Sequence, residues 1–188
     1  MQMTPDKKKN KLYIVVPCYN EEQVLGETSK RLKIKCKNLI QKGQISKDSK
    51  IVFVDDGSKD RTWKMISELH ETDSLFSGVK LSRNRGHQNA LLAGLTMASE
   101  HADMAISMDA DLQDDINAVD QMIEKYYEGC DIVYGVRSAR ETDTFFKRFT
   151  AESFYKLLNA MGAEVVFNHA DYRLLSARVL QEFAEFGE

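Results

Sequence analysis

Five short apolar runs, each separated by a segment of helical periodicity, predict an α/β protein with a mostly parallel central sheet flanked by helices. Two further features support this class. The runs are apolar along their whole length, as strands covered by helices on both sides must be. Charged and turn-forming residues crowd the carboxyl ends of the runs, where open α/β sheets bind their ligands.

Leu12 to Val16 (LYIVV) is the first strand, and Pro17 ends it. Asn20 suits the N-cap of the following helix, with Glu21 and Glu22 in a first turn favoured by the helix dipole. This helix is expected to reach Lys42, to bury Leu25, Leu32, Cys36, Leu39 and Ile40, and to stop at Gly43. Lys50 to Val54 is the second strand and runs directly into Asp55-Asp56-Gly57-Ser58. Ser58 or Asp60 can cap the next helix, whose inner face carries Trp63, Ile66 and Leu69. Val79 to Ser82 is the third strand. The polar turn Arg83-Asn84-Arg85-Gly86-His87 then leads into an Ala- and Leu-rich helix from Gln88 to Ser99. Ala102 to Met108 is the fourth strand, and Ile116, Val119, Ile123 and Tyr126 recur at helical spacing after it, with Asp114 or Asp115 as cap. Asp131 to Val136 is the fifth strand.

Beyond Arg137 the regularity weakens. Ser138 to Arg148 reads as a mobile loop, Phe149 to Met161 as a helix, Asn168 to Arg173 as a second polar cluster, and Ser176 to Phe186 as a closing helix. Residues 1–188 are expected to form one catalytic domain, with residues 1–11 disordered. The chain stops inside an amphipathic segment, so a truncated protein is expected.

Composition narrows the function. A net charge of −3 with 26 Lys and Arg against 29 Asp and Glu argues against a nucleic-acid partner. Cys18, Cys36 and Cys130 form no CxxC pair and are odd in number, which disfavours a disulfide scaffold or structural zinc. The polar, Lys-rich stretch Asp6 to Lys11 does not read as a signal peptide, and no apolar run is long enough to span a bilayer.

The densest chemistry lies at Met104 to Asp114 (MAISMDADLQD). In an extended backbone, residues i, i+2 and i+4 face one way, so Asp109, Asp111 and Gln113 would present oxygens on one side of a strand end. Hard oxygen ligands of this kind suit Mg²⁺ or Mn²⁺, which take their remaining ligands from phosphates and water. The turn after the first strand, PCYNEE, has no glycine until Gly26, and there is no GxxxxGK[ST], so neither a dinucleotide fingerprint nor a P-loop is present.

Four blocks then fall into a known pattern: VVPCYNEE at Val15 to Glu22, FVDDGSKDRT at Phe53 to Thr62, LSRNRGHQNALLAG at Leu81 to Gly94, and MDADLQD at Met108 to Asp114. The chain resembles the family 2 glycosyltransferases, whose GT-A fold binds nucleotide sugars, and within them the branch that loads hexoses onto dolichol or undecaprenyl phosphate. The resemblance implies an inverting hexosyltransferase that uses a UDP- or GDP-sugar, a polyprenyl phosphate acceptor and Mg²⁺ or Mn²⁺. It implies that Pro17, Tyr19 and Glu21 or Glu22 line the nucleoside pocket, that Asp56 with Asp55 reads the base edge, and that Arg83 approaches the nucleotide or its phosphates. Asp109 would contact ribose or metal, Asp111 would ligate the metal and act in catalysis, Gln113 would complete that edge, and Arg137 would meet the acceptor phosphate. Asp171, beside His169, matches a family acid; it or Asp114 would serve as base if the acceptor were a sugar hydroxyl. Packing remains the alternative for Tyr19, a surface ion pair for Arg83 and Arg137, and a plain helix-start position for His87. Two functional alternatives stay open: a soluble family 2 transferase acting on a saccharide hydroxyl in polysaccharide or cell-wall synthesis, and a non-catalytic nucleotide-sugar binder. The resemblance places the protein at the cytoplasmic face of the cell membrane, reached through segments missing from this chain, and leaves a homo-oligomer open.

Overall fold

A computed structural model describes residues 9–111, 113–136 and 169–185. In chain order the elements are β1 (Leu12–Cys18), α1 (Leu25–Gln41), β2 (Lys50–Asp55), α2 (Thr62–Thr72), β3 (Phe76–Lys80), α3 (His87–Ser99), β4 (Met104–Ser107), α4 (Ala118–Tyr127), β5 (Ile132–Val136), β6 (His169–Ser176) and α5 (Ala177–Glu185). They build one six-stranded sheet in the order β3-β2-β1-β4-β6-β5. β3, β2, β1 and β4 are parallel to one another, and β6 runs antiparallel between β4 and β5. The fold class expected from the apolar runs is therefore the one observed.

The centre of the sheet has no exposed face. All seven residues of β1 are buried, with Leu12, Ile14, Val15 and Val16 wholly so. Ile14 and Val16 join α1, α2 and α4 in one core with Leu25, Leu32, Leu39, Phe53 and Ile66. Val15, Val52 and Val54 face the other way, toward Ala90, Leu91, Leu95 and Leu180. Each large aliphatic side chain withdrawn from water in this manner is worth roughly 1.5–3 kcal/mol. On the second face α3 lies unusually close, because a Cβ on Gly94 would stand 2.4 Å from Val15 Cγ1 and 2.8 Å from Val54 Cγ2. That approach fixes the first turn of α3 over the strand ends.

Several local expectations need correction. Asn20 caps no helix: it adopts a left-handed φ of 56°, and α1 begins only at Leu25 after a turn. The third strand lies earlier than predicted, at Phe76–Lys80, because Phe76 packs on Phe53 with ring centroids 6.1 Å apart, while Leu81 and Ser82 already belong to the turn. The cluster Asn168 to Arg173 is largely strand. Tyr172 and Leu174 point into one core and Leu175 into the other, an alternation hidden in sequence by the polar residues before it. Asn10 and Lys11, assigned to a disordered N-terminus, are bonded to the body: Asn10 Nδ2 donates to Tyr126 Oη (3.1 Å) and Lys11 N to Asp103 Oδ2 (2.7 Å). The loop at Ser138 to Arg148, the helix at Phe149 to Met161 and Arg137 lie outside the described residues.

Candidate active site

Three loops at the carboxyl ends of β1, β2 and β3 are tied together by their own side chains. Asn20 N donates to Ser58 Oγ (3.0 Å) and Lys59 N donates to Asn20 Oδ1 (2.9 Å). Glu21 N donates to Thr62 Oγ1 (2.8 Å), Glu22 N to Asp60 Oδ2 (3.1 Å), and Arg61 N to Glu22 Oε2 (2.9 Å). The left-handed turn at Asn20, tolerated best by Asn among residues with a side chain, makes this reciprocal pairing possible. Asp60 Oδ1 also accepts from Thr62 N (2.9 Å), but the N-cap of α2 is Arg61 and neither Ser58 nor Asp60.

Asp56 knits in the third loop. Its two carboxylate oxygens accept from Arg85 N (2.6 Å) and Gly86 N (2.8 Å). Gly57, at φ 71°, lets the Arg83-Asn84 backbone pass, since a Cβ there would lie 2.5 Å from Arg83 C. Asp55 is wholly buried; Oδ1 accepts from Ser58 N (3.3 Å), and Oδ2 has no hydrogen-bond partner among the described residues.

These loops enclose a cleft lined by Pro17, Cys18, Tyr19, Glu21, Asp56, Asn84, Gly86, His87 and Ala90. Tyr19 is 40% exposed at its mouth, which is little packing for an aromatic ring and leaves a face free for stacking. Cys18 is buried, and burial followed by the nearby acids Glu21, Asp55 and Asp60 raises its thiol pKa, so it is a neutral part of the wall.

β4 ends beside β1, and the acidic segment follows it. Asp109 and Asp111 do not stand on an extended strand as the alternation argument required. β4 stops at Ser107, Ala110 and Asp111 form a turn, and Asp111 Oδ1 accepts from Gln113 N (3.0 Å). A hydrogen bond from Thr28 Oγ1 of α1 to the Ala110 carbonyl (2.6 Å) fixes the turn instead. Asp114 is no helix cap; it is buried, with Oδ2 3.5 Å from Asp109 N, while Asp115 Oδ1 accepts from Asn117 N. The acid turn meets the cleft at His87. His87 Nε2 lies 3.8 Å from Asp109 Oδ1. Glu21 has a raised pKa, caused first by burial and then by the charges of Asp111, Asp60 and Asp109.

The structure thus brings together Pro17, Tyr19, Glu21, Asp56, Asp109 and Asp111. It separates Glu22, whose carboxylate is committed to Arg61 N, and Arg83, whose exposed side chain is replaced in the cleft wall by Asn84. Gln113 is exposed just past the acid turn. Asp171 and His169 lie on β6, with their side chains outside the described part. His87, read from sequence as a surface helix-start residue, does begin α3, but it also lines the cleft. Its position four residues after Arg83 in a turn between strand and helix was the available signal.

The donor set fits a divalent cation of the Mg²⁺ or Mn²⁺ kind. Among the described residues no three His, Cys, Asp or Glu side chains form a ready-made cage. Such ions need only one or two carboxylates when a diphosphate supplies further oxygens; Asp109 stands 3.8 Å from the lining residue His87, and Asp111 follows it in the turn that begins at Ala110.

The family model described as Glycosyl transferase family 2 matches residues 13–183. The glycosyltransferase YkoT of Bacillus subtilis (strain 168) is 53% identical over 177 residues, covering 94% of this chain and 52% of that protein. The bactoprenol glucosyl transferase of Shigella phage SfV is 39% identical over 174 residues, covering 91% of this chain and 53% of that protein. The mannosyltransferase PcManGT of Pyrobaculum calidifontis, solved with GDP-Man and Mn²⁺, superimposes with a TM-score of 0.58 at 18% identity, covering 94% of this chain and 47% of its own; this is a likeness of fold. The chain spans about half the length of the curated relatives it matches.

Proposed function

The chain belongs to glycosyl transferase family 2, and from that premise we propose that it carries the donor-binding catalytic domain of an inverting hexosyltransferase acting from a nucleotide-diphosphate sugar to a polyprenyl phosphate. The observation that supports this most is the junction of the cleft at Tyr19, Glu21 and Asp56 with the acid turn at Asp109 and Asp111. The relative named as a bactoprenol glucosyl transferase supports the lipid acceptor.

In this reading the cleft holds the nucleoside. Tyr19 offers its exposed ring to the base. Asp56 holds the Arg85–Gly86 backbone and keeps lone pairs for an N–H of the base edge, since a carboxylate has about four acceptor sites. The cross-bonded loops hold these groups in place before donor arrives, so little ordering cost falls on binding. Asp109 and Asp111, with Gln113 beside them, would hold Mg²⁺ or Mn²⁺ against the diphosphate. The ion supplies positive charge where the leaving diphosphate gains negative charge. An acceptor phosphate oxygen attacks the sugar C1 from the far side; the C1–O bond to the diphosphate breaks, its electron pair stays on the nucleoside diphosphate, and the anomeric centre inverts. A phosphate acceptor is already ionised near neutral pH and needs no base. Arg137 is assigned to the acceptor phosphate, and Asp171 to proton removal from a hydroxyl acceptor. Among the described residues no helix is long and apolar enough to cross a membrane, so contact with a lipid acceptor falls to other segments or to the surface.

The test is transfer of labelled hexose from UDP- and GDP-sugars to undecaprenyl phosphate in detergent, with Asp111→Ala as companion. Lipid-linked product is expected from the wild type. Asp111 is exposed, so its variant should keep wild-type stability within about 0.5 kcal/mol while losing transfer by two orders of magnitude or more. Product on a saccharide hydroxyl alone would overturn the acceptor; near-normal turnover in the variant would overturn the role of Asp111.

A further inference from the structure

We infer that His87 is the side chain of this protein that receives the donor's diphosphate at the junction between the nucleoside cleft and the acid turn. The inference rests on the donor-site reading above and assigns a residue that the sequence placed on the plain surface.

Three observations converge on it. His87 lines the cleft together with Tyr19, Glu21 and Asp56. Its Nε2 reaches out of that cleft to within 3.8 Å of Asp109 Oδ1, so one ring touches both the nucleoside end and the acid end of the site. Its backbone is fixed: it opens α3 immediately after Gly86, whose N–H is held by Asp56, and Gly94 seats the same helix against Val15 and Val54. A nucleoside diphosphate laid from Tyr19 toward Asp109 must pass this imidazole.

The charge of the lining gives the ring its task. Among the described residues the cleft wall contains two carboxylates, Glu21 and Asp56, and no Lys or Arg. A diphosphate needs N–H donors there in addition to a cation. The lining side chains that can supply them are the Asn84 amide and the His87 imidazole, and of these His87 stands beside the acid turn. Its side chain is 44% exposed, so the ring is accessible to a ligand in the cleft. Losing a hydrogen bond to a charged group costs about 1.5–3 kcal/mol, which is roughly a tenfold or greater change in affinity.

The experiment is calorimetric and needs no turnover. Uridine and UDP, and guanosine and GDP, are titrated into wild type and His87→Ala with saturating Mg²⁺. The nucleoside diphosphate that binds the wild type should bind the variant about tenfold or more weakly, and the matching nucleoside should bind both equally. His87→Asn, which keeps an N–H donor, should recover part of the loss. Equal weakening of nucleoside and nucleoside diphosphate would make His87 a wall of the base pocket and overturn the assignment, as would unchanged affinity for both. If neither nucleoside diphosphate binds the wild type, the donor-site reading itself fails, and the two failures are distinct.

Discussion

Glu21 carries the electrostatic cost of the site. Its carboxyl sits above the usual value of 4.5, first because it is partly buried and then because Asp111, Asp60 and Asp109 are near. A carboxyl raised in the folded state binds its proton more tightly there than in the unfolded chain. Its contribution to stability is therefore fully present below about pH 4.5 and is lost as pH rises through the folded value. Glu21→Gln removes that dependence. Denaturation of the two proteins from pH 4 to 8 should show the variant gaining on the wild type as pH rises; parallel curves would mean that neither burial nor the neighbouring acids disfavours the Glu21 charge. Residue identities of this kind were legible in sequence as motif members, but their partners were not. Nothing in CYNEE says that Glu21 lines the cleft while Glu22 bonds Arg61 N, because that division depends on the left-handed turn at Asn20 and on a loop 38 residues away. Asp111 was singled out on an expected strand end, whereas it stands in a turn pinned by the bond from Thr28 Oγ1 to the Ala110 carbonyl.

The elements were read best where burial alone decides them. β1 and β2 are apolar on both faces and fall close to where the pattern put them, and α1 buries Leu25, Leu32, Cys36 and Leu39 as its spacing requires. β6 escaped notice because its pairing is antiparallel and its first residues are polar, so no continuous apolar run marks it. The loops that matter for the site are governed by close backbone approach, and two glycines separate the causes. Gly57 and Gly86 both have positive φ, at 71° and 89°. A Cβ on Gly57 would strike Arg83 C at 2.5 Å, whereas one on Gly86 meets nothing within 4 Å. Gly86→Ala should therefore cost only the backbone strain of a φ 89°, ψ 154° conformation that is essentially glycine's own, about 1–3 kcal/mol. Gly57→Ala adds displacement of the Arg83–Asn84 wall and should cost at least 1 kcal/mol more, with weaker nucleotide binding. Urea denaturation of both variants checks this, and equal losses would show that the β2 and β3 loops are not packed as described.

Across the whole molecule, the sheet order places the ends of β2, β1 and β4 side by side, and this is why Glu21 shares one edge with Asp109 and Asp111, about 90 residues later in sequence. That gathering has a consequence for ligand binding. In the proposed reading Glu21, Asp56, Asp109 and Asp111 flank the diphosphate, and among the described residues the cleft wall has no Lys or Arg to offset them. Like charges about 4 Å apart at a protein surface repel by about 4 kcal/mol at an effective dielectric constant of 20, enough to cancel the gain from stacking a base on Tyr19. In the proposed reading, a divalent cation held by Asp109 and Asp111 would reverse the sign. With Mg²⁺ or Mn²⁺ present, nucleotide sugar at a hundred times its Kd should stabilise the fold by about 2.7 kcal/mol, a rise in Tm of roughly 5–10 °C for a domain of this size. With EDTA the same donor should move Tm by less than a third of that, and Asp109→Ala with Asp111→Ala should abolish the metal-dependent part. Thermal unfolding followed by intrinsic fluorescence in the four combinations of donor and metal is sufficient. An equal shift without the cation would mean that the acids at the strand ends do not hold a metal against the donor, and His87 with Asn84 would then have to carry the diphosphate unaided.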